Sequence, residues 1–257
     1  MTSAAAPTPD TTRPPATDHV IEVRGLWKYF GHFAALRGVD FRLAPGRFLT
    51  IFGPNGAGKT TLIKVLSTQI KPSEGLAKVG GLDVVLQAEA LRHRIGVISH
   101  NTYLYANLSA LENLQFYGKM YGVTDLDDRA TTLLEQVGLY GRHEDRVGTF
   151  SRGMQQRLSI ARALLHEPDI MFLDEPYTGL DQHASRMLRG VLETLHTGRR
   201  SLILTTHNLE QGLEMCDEVA IQVMGRTVYR EPIEAIDRAG FEATYFDHVG
   251  KDYKWDS

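Results

Sequence analysis

The 257-residue sequence predicts an α/β fold, a mixed sheet core interrupted by an inserted helical subdomain. Three observations predict it. Short apolar runs at Phe48–Phe52, Ile170–Leu173 and Ser201–Leu204 have the length of strands buried on both faces. One of them runs straight into a glycine-rich loop followed by a helically spaced segment. The stretch from about Ser99 to Leu165 carries helical rather than alternating patterning.

The elements follow in order. From Val20 to Leu43, IEVRGLWKYF alternates, GHFAALRGVDFRL supplies a second strand-like pair, and APG turns the chain. RFLTIFG is a compact strand, and KTTLIKVLSTQI follows as a helix with Leu62, Val65, Leu66 and Ile70 at helical spacing. SALENLQFYGKMYG opens a helix at Ser109, with Glu112 three residues on as in a capping box, and Leu111, Leu114 and Met120 on or near one face. DLDDRATTLLEQVG is a second helix, with acids at its start and Gly138 near its end. SRGMQQRLSIARALLH is a third, opened by Ser151. After Pro168, strand and helix alternate again through DIMFLDE, SLILTTH and EVAIQVMG. There is no internal repeat.

With 42% hydrophobic residues the chain can bury a core, organised as one domain over about 19–232 with the helical subdomain at about 100–165. The net charge of −3 gives no basic excess, so no nucleic-acid partner is expected. No run approaches the roughly 18–20 apolar residues of a membrane span, so work at a membrane implies docking on a partner. Residues 1–18, rich in Ala, Pro and Thr and without an apolar signal region, read as a disordered tail. Residues 233–257 read as a C-terminal tail whose aromatics Phe241, Tyr245, Phe246, Tyr253 and Trp255 pack over the chain's own domain or dock on a partner. Arg199 and Arg200 read as a solvated turn. The single cysteine, Cys216, reads as a half-buried helix residue without chemistry.

Chemistry concentrates in two places. Gly53, Pro54, Asn55, Gly56, Ala57, Gly58, Lys59, Thr60 and Thr61 form a phosphate-binding loop pattern between a strand and a helix. Glycines let backbone N–H groups turn inward on phosphate oxygens, and the helix adds its positive end. Lys59 is expected to meet the β- and γ-phosphates, and the Thr60 hydroxyl to ligate Mg²⁺. The apolar strand Ile170–Leu173 ends in Asp174 and Glu175, at the sheet edge where α/β proteins bind ligands. Asp174 is expected to hold Mg²⁺ and Glu175 to polarise an attacking water.

Further motifs give a family resemblance. Phe150-Ser151-Arg152-Gly153-Met154-Gln155-Gln156-Arg157 resembles the signature of ABC (ATP-binding cassette) ATPases and lies just upstream of the acid pair, as in that family. Thr178-Gly179-Leu180-Asp181 resembles its D-loop, and His207 its switch histidine. The resemblance covers about Ile21 to Arg230 and implies a P-loop ATPase that binds ATP and Mg²⁺ and powers transport through a separate transmembrane permease subunit. It implies a homodimer or cassette heterodimer packed head to tail, with Lys59 of one copy and Ser151 and Gly153 of the other gripping each ATP. Ser151 serves equally as an N-cap. Asp181 and His207 join the nucleotide site, and adenine is expected to stack on Phe30, with Tyr29 as the alternative.

Three positions depart from the family pattern. His100 stands for the usual glutamine and is expected to fill its place beside Mg²⁺ and water. Arg152 stands for a glycine, near the triphosphate or toward solvent, and Met154 for a glutamine. Together with the segment 99–122 these features resemble ABC-2-type exporter ATPases, among them the haem-exporter subunit of cytochrome c maturation. The location implied is cytoplasmic, peripheral at the inner face of the cell membrane. A soluble ABC-type ATPase acting on nucleic acid or ribosomes is the alternative; the coiled coils, second cassette or basic linkers of that group are absent from the sequence.

Overall fold

A computed structural model describes residues 18–180, 182–197 and 200–252. The expectations for the tail over residues 1–17, for Asp181, for Arg199, and for Tyr253 and Trp255 lie outside them. The strands are β1 (Ile21–Phe30), β2 (Phe33–Leu43), β3 (Phe48–Phe52), β4 (Glu74–Val79), β5 (Leu82–Asp83), β6 (Ile95–Ser99), β7 (Ile170–Asp174), β8 (Ser201–Thr206), β9 (Glu218–Val223) and β10 (Arg226–Pro232). The helices are α1 (Lys59–Leu66), α2 (Ala88–Arg92), α3 (Ala110–Tyr121), α4 (Leu126–Gln136), α5 (Arg152–Leu164), α6 (Gln182–Thr197), α7 (Leu209–Leu213) and α8 (Phe241–Asp252).

The strands form two sheets. A four-stranded antiparallel sheet has the order β2-β1-β4-β5. A six-stranded sheet has the order β10-β9-β3-β8-β7-β6, parallel except for β10. Its central strands β3, β7 and β8 are buried throughout and mostly apolar because both faces are covered. On β7, Ile170 and Phe172 enter one core with β1, β2 and α1, while Met171 and Leu173 enter the other with the helices. β3 divides likewise, with Leu49 and Ile51 to the first core and Phe48 and Phe52 to the second.

The helical subdomain consists of α3, α4 and the chain leading into α5, and it packs on the second core. Ser109 caps α3: its side chain accepts from Glu112 N, and the Glu112 carboxylate accepts from Ser109 N, the reciprocal box read in the sequence. Leu114 is buried and Leu111 packs against the core, but Met120 is 63% exposed. Six residues beyond Leu114, it has turned about 240° round the helix.

Other details also correct the sequence reading. Helix α1 ends at Leu66, short of Ile70, because Thr68 turns into the left-handed region at φ 63°. Cys216 is buried in the connection after the five-residue α7, not on a helix. Arg200 is no solvated turn: its Nε donates to the Pro168 carbonyl at 2.9 Å. Beyond β10, by contrast, Phe241 and Tyr245 of α8 pack over the chain's own domain as one of the two readings expected: both are buried, and the Phe241 ring lies 5.3 Å from that of Phe52, while Phe246 is exposed.

Candidate functional site

Strand β3 ends at Phe52, and the loop 53–58 carries the chain into α1. Two glycines here are dictated by close backbone approach. A Cβ on Gly53 would stand 2.2 Å from the Gln222 carbonyl oxygen. One on Gly58, at φ +94°, would stand 2.3 Å from that of Ala35. The loop is therefore clamped between β9 and β2. Asn55 and Gly56 form its exposed lip, while Ala57 is buried. The Ala57 carbonyl accepts from Gln222 Nε2 and from Gly225 N, each at 3.0 Å.

Lys59, the first residue of α1, is 6% exposed. Its Nζ donates to the carbonyls of Gly53 at 2.6 Å and Pro54 at 3.2 Å, and lies 3.7 Å from Glu175 Oε1. Burial pulls this ammonium below the ordinary lysine value, with the Glu175 and Asp174 carboxylates acting against that shift. The cation thus stands inside the loop, where an incoming anion would meet it.

Asp174 closes β7 and is buried. Its Oδ1 accepts from Thr60 Oγ1 at 3.0 Å and from Thr205 Oγ1 at 2.7 Å. In register it lies between Ser99 of β6 and Thr205 of β8. Glu175 follows in a left-handed conformation at φ 49°, uncommon for a non-glycine residue and found at functional sites. Its N–H donates to the Thr205 carbonyl at 3.0 Å, and its Oε2 lies 3.0 Å from His207 Nδ1.

Lys59, Thr60, Asp174, Glu175, Thr205 and His207 are thus one hydrogen-bonded and ion-paired set at the carboxyl edge of the parallel strands. Phe30, His100, Ser151 and Gly153 are not members of it. Phe30 is 51% exposed at the tip of the β1–β2 hairpin, with Lys28 Nζ 5.2 Å from its ring centroid, while Tyr29 stacks on Trp27. His100 is exposed directly after β6. Ser151 is exposed as the N-cap of α5, its hydroxyl accepting from Met154 N at 3.3 Å. A Cβ on Gly153 would meet nothing within 4 Å, so its own chain does not require glycine there. Arg152 is exposed, the solvent-facing alternative of its two expected placements, and its side chain lies over Gly179, whose Cβ would stand 2.6 Å from Arg152 Nε. The Met154 sulfur accepts from Arg142 Nη1 at 3.8 Å.

Two contributors escaped the sequence reading, Thr205 and Gln222. Each is a fully buried polar residue on a mostly apolar strand. That mismatch was the available signal, because a buried polar group needs a partner.

Comparison with known proteins agrees with this geometry. A family model described as ABC transporter matches residues 36–178. The chain is 37% identical over 205 residues to the ABC transporter ATP-binding protein NatA of Bacillus subtilis (strain 168), covering 79% of this chain and 83% of that protein. It is 38% identical to the daunorubicin resistance ATP-binding protein DrrA3 of Streptomyces coeruleorubidus, covering 82% and 67%. It is 32% identical to the Nod factor export ATP-binding protein I of Cupriavidus metallidurans (strain ATCC 43123 / DSM 2839 / NBRC 102507 / CH34), covering 85% and 73%. Among solved structures, the dimeric ATP-binding cassette MJ0796 bound to ADP and Pi shares the fold, with TM-score 0.77, 23% identity, and 84% of this chain covered against 100% of that one. The ATP-binding subunit of an ABC transporter gives TM-score 0.79 at 27% identity, covering 88% and 94%. Among the described residues no helix is long and apolar enough to cross a membrane. A loop clamped for phosphate, an acid pair at the sheet edge and kinship over most of the chain lead to one family: the chain belongs to the ABC transporters, as an ATP-binding cassette that hydrolyses ATP for transport.

Proposed function

We propose that this chain is the motor subunit of an ABC exporter, working as a head-to-tail pair of cassettes beneath a separate membrane permease. The observation that carries this reading is the junction at Asp174 and Glu175, where the loop cation, two hydroxyls and His207 converge. Lys59 exchanges its carbonyl contacts for the β- and γ-phosphates of ATP, and the N–H groups of residues 53–61 hold the phosphate oxygens. Thr60 Oγ1 and Asp174 Oδ1, hard oxygen donors 3.0 Å apart, fit Mg²⁺, which takes few protein ligands and keeps several waters. Held there, the ion supplies charge neutralisation on the phosphate oxygens. Glu175 orients and polarises the attacking water, and His207, bonded to it, contacts the γ-phosphate.

Phe30 offers its exposed ring to adenine. The partner cassette supplies Ser151 and the N–H groups after it. Ser151 is exposed, and Gly153 is small without any intrachain cause, which suits close approach by a second copy's nucleotide. Asp181 contributes from the D-loop. His100 takes the place beside ion and water where relatives in this family carry glutamine. Docking on a permease puts the chain at the cytoplasmic face of the cell membrane.

Export follows from the relatives, whose names give Nod factor export and daunorubicin resistance. The finer reading of haem as cargo rests on His100 and its flanking segment; a haem-dependent rise in ATP hydrolysis by the membrane assembly would support it. The decisive test of the motor reading is Glu175→Gln. The variant should keep ATP affinity, lose turnover by about a hundredfold or more, and accumulate as an ATP-bound dimer in size-exclusion chromatography. A variant that turns over normally, or stays monomeric with ATP and Mg²⁺ both alone and in its membrane assembly, refutes the shared site.

A further inference from the structure

The turn between β9 and β10 is built against the phosphate loop. Val223 pairs with Arg226, so the turn has two central residues, Met224 and Gly225. Both are left-handed, at φ 47° and 82°, as a type I′ hairpin turn requires. Glycine suits that conformation, whereas methionine is uncommon in it. The turn brings two donors to one acceptor: Gly225 N and Gln222 Nε2 each lie 3.0 Å from the Ala57 carbonyl oxygen. The Gly225 carbonyl accepts from Arg37 N at 2.8 Å, which fastens the same turn to β2.

Gln222 is fully buried, and its Oε1 has no partner among the described residues. An unpaired buried amide oxygen costs stability, so packing alone gives no reason for glutamine here. The amide is oriented by its other end, the donor to Ala57. That carbonyl belongs to the same planar trans peptide as the Gly58 N–H, and the two point in opposite directions. Two donors holding the oxygen against the β9–β10 hairpin therefore turn the Gly58 N–H away from it. Donation to the oxygen also polarises the peptide, which makes its N–H the stronger donor.

We propose that Gln222 is a positioning residue for the nucleotide: it fixes the Ala57–Gly58 peptide so that the Gly58 N–H is aimed at a phosphate oxygen before ATP arrives. The proposal rests on the phosphate-loop reading above and gives one of that loop's donors a cause in β9. Gly58 needs such a cause, because a residue without a Cβ has the widest choice of backbone conformations. A donor set in advance lowers the ordering cost of binding. The half-satisfied amide is then stability given up for affinity. A phosphate contact made equally by bound ATP and by the transition state supports KM rather than kcat.

Gln222→Met keeps the length of the buried side chain and removes both amide atoms. The Ala57 carbonyl retains its bond from Gly225 N, and the unpaired oxygen is gone, so Tm should hold or rise. KM for ATP should rise about three- to tenfold, the scale of one neutral hydrogen bond. By contrast, kcat should stay within about twofold. NMR reads Gly58 directly. Alanine labelled with ¹³C at its carbonyl and glycine labelled with ¹⁵N together mark two peptides, Ala57–Gly58 and Ala239–Gly240. On adding ADP, the first amide proton should move downfield in the unsubstituted chain and clearly less in the variant, with the second as reference. An unchanged KM, an equal Gly58 shift in both chains, or a loss confined to kcat and Tm overturns the proposal and leaves the phosphate-loop reading standing. Should the variant fold poorly, the comparison moves to a Met224→Asn background, where Asn-Gly favours the turn. A Gln222→Met chain that folds in neither background marks the residue as structural and overturns the proposal. If the unsubstituted chain binds neither ATP nor ADP, the phosphate-loop reading falls as well.

Discussion

Removing the Thr205 hydroxyl tests how the ion-binding carboxylate is held. Thr205 is fully buried, and its Oγ1 donates to Asp174 Oδ1 at 2.7 Å, shorter than the 3.0 Å bond from Thr60. Once Thr60 turns to an ion, Thr205 is the hydroxyl left to fix the carboxylate. Thr205→Val keeps the shape and deletes the donor. A hydrogen bond to a charged group contributes about 1.5–3 kcal/mol, and burial of the new methyl offsets about 0.8 kcal/mol of that. The net loss of about 1–2 kcal/mol should lower Tm by roughly 2–8 °C for a chain of this size. Loosening of Asp174 should also reduce kcat/KM for ATP by about ten- to a hundredfold. Thermal unfolding and a steady-state phosphate-release assay read the two effects. Thr205→Ser, which keeps the hydroxyl, should recover most of the activity even where it loses stability. If Val and Ser variants lose activity equally, or Val loses none, Thr205 does not position Asp174.

Gly58→Ala places a Cβ 2.3 Å from the Ala35 carbonyl at φ +94°, so it should destabilise the fold by about 1–2 kcal/mol or more and weaken nucleotide binding, as calorimetry would read. Phe30→Ala, at a ring 51% exposed, should leave Tm within about 1 °C yet weaken ATP binding about three- to tenfold; equal binding of ATP and triphosphate alone by both proteins would remove Phe30 from the adenine site. Burial pushes the Cys216 thiol up to about 11 from its ordinary 9, so below that value it stays neutral. Iodoacetamide at pH 8 should therefore modify it about a hundredfold more slowly in the native chain than after unfolding, a difference mass spectrometry resolves over time.

The parts of this site legible in the sequence were those whose partners are sequence neighbours. The loop 53–61 reads as a strand, turn and helix in one stretch, and Asp174 and Glu175 read as the end of a buried strand. Ser109 and Glu112 form their box within four residues. Thr205 and Gln222 were not legible in the same way. Their partners lie 31 and 165 positions away, and they meet only because the strand order is β9-β3-β8-β7. Apolar runs announce that strands are buried; they do not rank them within a sheet. The early stop of α1 had another cause, a left-handed turn at Thr68 that its helical spacing hid. The contact of Arg152 with Gly179 was unreadable because that glycine comes from the loop after β7.

The clamp on the phosphate loop has a consequence for how the protein is made. Gln222 holds the Ala57 carbonyl from 165 positions further along, and β3 is flanked by β8 and β9. On the ribosome, the loop and its β2 wall are finished early and the β9 wall arrives late. At roughly 5–20 residues per second, the interval is about ten to thirty seconds. During it the nascent segment carries every residue of the phosphate motif and cannot yet grip a nucleotide, so ATP becomes a ligand only for a nearly completed chain.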